Sequence, residues 1–293
     1  MRHFLEIDDL SADELAKVLD LSQTELPPVL AGKGAALVFE KPSLRTRNSS
    51  EMAVVQLGGH PVYVSAAEVG LGSRETPEDV VRTLAGYHAV VAARVFEHEK
   101  LERMAGMDVV PVINLLSDLA HPVQALADLL TLRQHFGKLD GLTVAYVGDP
   151  NNVSRSLSFG LALSGASMRI ASPDGYPVPE ADIDRVRALG GTLEVTTDPS
   201  TAVRGVDAIY TDVWASMGKE DEAEARRQAF DGFTVDGLLM SDAAPHAVFL
   251  HCLPAHRGEE VEAEVLESPK SLVWPQAENR MHTMRGLLAF LLS

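Results

Sequence analysis

A serine, two arginines and a threonine lie together in Ser43-Leu44-Arg45-Thr46-Arg47, directly after Pro42. Guanidinium forks match phosphate oxygens two at a time, and hydroxyls add further donors. An apolar run at 35–39 precedes the group and a helical pattern at 49–57 follows it. The stretch reads as a strand, a turn and a helix N-terminus, where free N–H groups and the helix dipole favour an anion. Serine and threonine are also ordinary helix caps. On residue types alone, a capped helix with two solvated arginines is equally open.

Other positions carry chemistry of their own. Arg94 interrupts the apolar run 89–96, and a charge there needs a partner or a ligand. A local glutamate would serve as well as an anionic substrate. His121 precedes Pro122 near a helix start, where a histidine is ordinarily a cap or a core residue. Asp212 ends a strand at 208–211. A carboxylate there can hold an ammonium, though a lone loop aspartate is ordinarily a turn residue. Cys252, the only cysteine, closes a strand at 248–252. Buried cysteines are ordinarily inert small hydrophobes. Gly148-Asp149-Pro150-Asn151-Asn152 lacks the Gly-x-Gly-x-x-Gly fingerprint of dinucleotide binding, which lowers an oxidoreductase reading. Its two asparagines would cap a helix.

Strand–helix alternation must position these residues. In the first half, Ser11 to Glu14 forms a capping box before an amphipathic helix at 15–21. Strands follow at 35–39, 60–64, 89–96 and 109–114, with helices at 49–57 and from about Thr76 between them. A helix at 121–136 links two halves. The second half repeats the rhythm with strands at 142–147, 167–171, 192–196, 208–211 and 248–252. Its helices fall at 153–164 and 183–189, and a closing helix spans 277–292. The fold expected is α/β, with two domains, each a parallel sheet flanked by helices. Ligands of such sheets sit at the carboxyl ends of the strands. Ser43 to Arg47, 116–124, Asn151-Asn152, Asp212 and His251-Cys252 all fall there.

The composition sets bounds. The 293 residues allow one large or two medium domains, and 46% hydrophobic content allows a sizeable core. A net charge of −17 argues against nucleic acid and against an anionic membrane surface. Such a chain must gather positive charge locally to bind an anion. One cysteine leaves no intrachain disulfide and no cysteine-based zinc site. The start, Met1-Arg2-His3-Phe4-Leu5-Glu6, does not resemble a signal peptide, and no apolar run is long enough to span a bilayer. The expected compartment is the cytoplasm.

Ser43-x-Arg45-Thr46-Arg47 after a strand resembles the carbamoyl-phosphate motif of the aspartate and ornithine transcarbamoylases. His121-Pro122-Val123-Gln124, Asp212-Val213-Trp214-Ala215-Ser216-Met217-Gly218, His251-Cys252-Leu253-Pro254 and Glu278-Asn279-Arg280 follow in the order and approximate spacing of the ornithine branch. The resemblance covers nearly the whole chain. It implies carbamoyl-phosphate binding by Ser43, Leu44, Arg45, Thr46 and Arg94. His121, Gln124, Cys252, Leu253 and Arg280 belong to the same implied set. Ornithine falls to Asn152, Asp212, Ser216 and Met217. The catalytic residues implied are Arg94, His121, Asp212 and Cys252. The product would be citrulline, with phosphate released and no metal or organic cofactor. The implied domains are 1–131 for carbamoyl phosphate and 132–276 for ornithine, with 277–293 packed back on the first. Homotrimers, or multiples of trimers, are the implied assembly.

Some positions depart from the family pattern. Leu44 replaces a frequent threonine, Asn48-Ser49-Ser50-Glu51 lacks the phenylalanine usual before that glutamate, and Gly70 stands where glutamine is frequent. Two rivals therefore stay in view: a carbamoyltransferase for another amine, and a non-catalytic, ligand-sensing relative. Intact Arg45, Arg94, His121 and Cys252 count against the second.

Overall fold

The computed structural model describes residues 1–215 and 220–293. The chain divides into two compact units, Met1–Ala127 with Glu278–Ser293, and Asp128–Ala277.

The first unit runs α1 (Ala12–Leu21), β1 (Gly34–Phe39), α2 (Leu44–Gln56), β2 (His60–Ser65), α3 (Ala66–Val69), α4 (Pro77–Ala85), β3 (His88–Arg94), α5 (His98–Ala105) and β4 (Val112–Leu116). α6 (Pro122–Phe136) carries the division between Ala127 and Asp128. The sheet is parallel, in the order β2-β1-β3-β4. β1 is fully buried from Ala35 to Phe39, as a central parallel strand covered on both faces must be. The chain winds outward from β1 in one direction to β2 and in the other to β3. The carboxyl ends of β1 and β3 therefore flank the point where strand order reverses, the usual ligand crevice of an open sheet. Phe39 pairs with Arg94 there.

The second unit runs β5 (Thr143–Val147), α7 (Asn152–Leu163), β6 (Ser167–Ala171), α8 (Glu180–Ala188), β7 (Thr192–Thr196), α9 (Pro199–Val203) and β8 (Ala208–Thr211). It continues with α10 (Ala223–Ala229), α11 (Gly237–Asp242), β9 (Val248–His251) and α12 (Ala263–Leu266). α13 (Val273–Leu292) begins in this unit and passes into the first between Ala277 and Glu278. The second sheet is also parallel, ordered β7-β6-β5-β8-β9, so its reversal lies between β5 and β8. Tyr146 and Tyr210, on these two strands, are buried and stacked with centroids 5.7 Å apart.

The capping box of α1 forms as expected: Ser11 accepts from the Glu14 N–H and Glu14 accepts from the Ser11 N–H. Several boundaries differ from the sequence expectation. α2 starts at Leu44, not near Ser49. Its early buried positions are Thr46 and Ser50, so apolar periodicity does not reveal the first turn. α13 starts at Val273, not Ala277, because Pro275 lies in the first turn, where no N–H partner is lost. β4 begins at Val112, not near Val109, after Asp108 takes a left-handed conformation. Gly70 has a local cause: at φ +56, a Cβ there would lie 2.7 Å from Arg74 Cβ.

Candidate functional site

In the first unit, Ser43 is the N-cap of α2, yet its hydroxyl makes no capping bond. Thr46, one turn in, is buried and accepts from Arg280 Nη2 at 3.1 Å. Arg280 Nη1 donates to Gln124 Oε1, and both of these side chains are buried. Arg280 is thus not the solvated surface arginine that its helical setting allowed. Arg94 ends β3 and is half-buried. Its backbone carbonyl accepts from the Glu40 N–H. The Glu40 carboxylate is engaged with Lys100 at 2.8 Å and with the Phe96 N–H at 2.7 Å.

His121 lies one residue before α6 and is 5% exposed. Burial first, then the charges of Arg280 and Arg94, hold its imidazole well below the usual histidine range. The ring is neutral near pH 7 and offers one N–H donor rather than a third cation. The structure thus groups Thr46, Arg94, His121, Gln124 and Arg280 at the carboxyl edge of this sheet. Ser43, the exposed Leu44 and the half-buried Arg45 lie on the same first turn as Thr46. Arg47 is turned elsewhere: its Nε donates to Glu51 at 2.7 Å and its guanidinium lies 3.8 Å from the centre of the Tyr63 ring.

The depressed His121 value has a consequence for stability. Below about pH 6.5 the unfolded chain takes up a proton that the folded chain resists. Stability therefore falls with pH below that value and is indifferent to this group above it. The slope from one such histidine is at most about 1.4 kcal/mol per pH unit. Melting temperatures from pH 5 to 8 should fall more steeply on the acid side for the native chain than for His121→Asn. Parallel curves would mean that the imidazole is not held neutral.

In the second unit the key groups converge where β5 and β8 part. β5 leads into Gly148, whose φ of +138 suits glycine alone, and the chain turns into α7. Asn151 caps that helix: its Oδ1 accepts from the N–H groups of Val153 at 2.9 Å and Ser154 at 3.3 Å. Its Nδ2 donates to Asp212 Oδ2 at 2.8 Å. Asp212 Oδ1 accepts from the Val213 N–H at 2.8 Å and from Cys252 Sγ at 3.0 Å. The carboxylate is 5% exposed and well supplied with donors. Burial, then Asp212 and Asp149, push the Tyr146 hydroxyl well above its ordinary value. It therefore stays protonated beside the cluster.

β9 ends at His251, one residue short of the expected 252, and Cys252 follows it directly. The Leu253 N–H donates to His251 Nδ1 at 2.8 Å, which leaves the His251 proton on Nε2, facing the buried Glu260 at 3.1 Å. The His251 N–H donates to Gln276 Oε1. Leu253 itself takes φ +60. Asp212, His251 and Cys252 place possible ligand atoms within 4.8 Å of one another. Both imidazole nitrogens and both carboxylate oxygens are already committed to protein partners, so the arrangement suits a proton network better than a metal.

The site residues drawn from the sequence fall as follows. Thr46, Arg94, His121, Gln124 and Arg280 are brought together in the first unit. Asp212 and Cys252 are brought into contact in the second, with Leu253 adjacent. Asn152 is the first residue of α7, half-buried beside the capping Asn151. Ser216 and Met217 lie outside the described residues. Sequence reasoning did not find Asn151 as the partner of Asp212, nor Tyr146, Glu260 and Gln276. Asn151 and Gln276 meet partners distant in the chain, and Tyr146 and Glu260 meet theirs across turns that no periodicity marks.

Residues 2–134 match the family described as aspartate/ornithine carbamoyltransferase, carbamoyl-P binding domain. Residues 140–291 match its Asp/Orn binding domain. The chain is 50% identical over 302 residues to an ornithine carbamoyltransferase from Acidothermus cellulolyticus, with 100% of this chain and 97% of that one covered. Among solved structures it resembles the ornithine carbamoyltransferase from Pyrococcus furiosus, with a TM-score of 0.94 and 44% identity, covering 99% of this chain and 96% of that one. It also resembles the enzyme of that name from Thermus thermophilus, with a TM-score of 0.92 and 45% identity, covering 100% and 99%. A match that runs through both halves of the chain, at this identity, makes it a member of the aspartate/ornithine carbamoyltransferase family.

Proposed function

We propose that this protein transfers the carbamoyl group of carbamoyl phosphate to the side-chain amine of L-ornithine, giving L-citrulline and phosphate. One observation carries the reading: the motif residues of each unit converge where that unit's strand order reverses, and they do so with opposite chemistry. The first unit gathers guanidinium groups and neutral donors, which suit a doubly charged phosphate and its carbonyl. The second gathers a carboxylate, an amide and a thiol, which suit an ammonium-bearing amino acid. Asp212 would repel the second carboxylate of aspartate, which favours ornithine within the family.

In this reading Ser43, Arg45, Thr46 and Arg94 hold the phosphate, with Leu44 contributing backbone. His121, Gln124 and Arg280 orient the carbamoyl group and donate to its oxygen as negative charge develops there. The neutral state of His121 fits a donor role. Asn152, Asp212, Ser216 and Met217 hold ornithine, while Cys252 and Leu253 line the reacting group. The free amine attacks the carbonyl carbon, the C–N bond forms, and the bond from that carbon to the phosphate oxygen breaks. The surplus amine proton ends on the departing phosphate. No covalent enzyme intermediate and no cofactor are needed. Much of the acceleration then comes from positioning and from prearranged charge. The working form is a homotrimer or a multiple of trimers in the cytoplasm, as the family resemblance suggests. Among the described residues no helix is long and apolar enough to cross a membrane.

A turnover assay with carbamoyl phosphate and ornithine, lysine, putrescine or aspartate tests the reading. An alkylamine titrates near 10.4, so about one molecule in a thousand is free base at pH 7. The rate at subsaturating ornithine should climb up to about tenfold per pH unit while deprotonation limits it, then level off. Ornithine should exceed each competitor by at least about a hundredfold in kcat/KM, roughly what one well-recognised polar group supplies. Preference for another acceptor, or a pH-independent rate, would sink the assignment.

A further inference from the structure

Arg226 belongs to no motif, yet it is 3% exposed, and its guanidinium bridges the two strand-end turns of the second unit. Its Nη1 lies 3.0 Å from Asp149 Oδ2, in the turn after β5, and 3.0 Å from the carbonyl oxygen of Trp214, in the turn after β8. Asp149 stands two residues before Asn151, and Trp214 two residues after Asp212. Asn151 and Asp212 are themselves hydrogen-bonded at 2.8 Å. One nitrogen thus ties together the two turns whose side chains form the acceptor cluster.

The guanidinium is itself locked. It sits 4.9 Å from the centre of the Tyr176 ring, and its Nε donates to Glu222 at 2.9 Å. Burying such a pair is a poor way to gain stability, since apolar replacement of both partners is often neutral or favourable. What the planar group supplies is placement: with Nε held by Glu222, Nη1 donates to the Trp214 carbonyl and keeps its charge 3.0 Å from Asp149. We infer that Arg226 is a positioning residue for the acceptor, clamping the turns after β5 and β8 so that Asn151 and Asp212 keep their mutual geometry. The inference rests on the ornithine reading above.

Arg226→Lys tests it, because lysine keeps a cation beside Asp149 while losing the planar group. The ornithine KM should rise at least about tenfold. The carbamoyl-phosphate KM should stay within about twofold, and kcat at saturating ornithine within about threefold. Amide hydrogen exchange over 148–151 and 212–215 should speed up at least about tenfold, with β5 and β6 unchanged. The double variant Arg226→Met with Asp149→Asn buries no charge and should show the same split between substrates. A folded variant with native ornithine KM and native exchange would overturn the inference, as would equal losses for both substrates. Unfolding of both variants would make Arg226 a stability residue and overturn it too. If the native chain did not use ornithine, the functional reading would fall while the exchange measurement still decided the clamp.

Discussion

Arg280→Ala is expected to lower kcat by about 10²–10³-fold, the usual consequence of removing one prearranged donor from a developing oxyanion. Arg280 is 4% exposed, and two of its hydrogen bonds go to the neutral acceptors Gln124 Oε1 and Thr46 Oγ1. A buried guanidinium aimed by Gln124 and Thr46 is prearranged to donate to a developing negative charge. The substitution also removes one donor each from the buried Gln124 Oε1 and Thr46 Oγ1, so a stability loss of about 1–3 kcal/mol should accompany it. Arg280→Lys keeps the charge but not the two-pronged geometry and should recover little of the rate. Steady-state kinetics with both substrates, read beside a melting curve, separates the two effects. A folded Arg280→Ala within tenfold of native turnover would remove this residue from the reaction.

Asp212→Asn is expected to cut kcat/KM for ornithine by about 10²–10³-fold while the carbamoyl-phosphate KM moves less than about twofold. Loss of one partner from a buried, hydrogen-bonded charge pair costs about 2–5 kcal/mol, and each 1.4 kcal/mol is tenfold. The hydrogen-bond network worsens the outcome. Oδ1 receives two donors, Val213 N–H and Cys252 Sγ, so the amide oxygen of an asparagine must stay on that side. Its NH₂ would then face the NH₂ of Asn151. Asn151 cannot turn round to accept, because its oxygen caps α7. The variant should therefore also melt earlier than the native chain. Isothermal titration with each substrate gives the partition directly. A loss shared equally by both ligands would show that Asp212 supports the fold rather than the acceptor.

Much of this protein is legible in its residues because the signals are local. The strands expected at 167–171, 192–196 and 208–211 are observed there: the buried run 208–211 carries continuous hydrophobicity, while the edge strand 192–196 shows the alternation of Leu193 and Val195 with polar residues. The capping box at Ser11 and the strand-end location of Ser43, Arg94, Asp212 and Cys252 were readable for the same reason. Helix starts were less so: α2 hides its first turn because Thr46 and Ser50 are buried polar residues.

The residue types and their spacing by themselves determined the α/β class, the family and the chemistry on offer: guanidinium groups in one half, a carboxylate and a thiol in the other. Only the tertiary structure decided which strands are neighbours. By putting β1 beside β3 and β5 beside β8, it made those strand ends the places where the chain parts. It also decided that Asn151 donates to Asp212, that Arg47 leaves the motif for Tyr63, that His121 is neutral, and that Arg226 ties two turns together. The physical reason is common to all of these. A hydrogen bond or a shifted proton depends on partners and burial supplied by segments far apart in the chain, and no periodicity in a single segment records them.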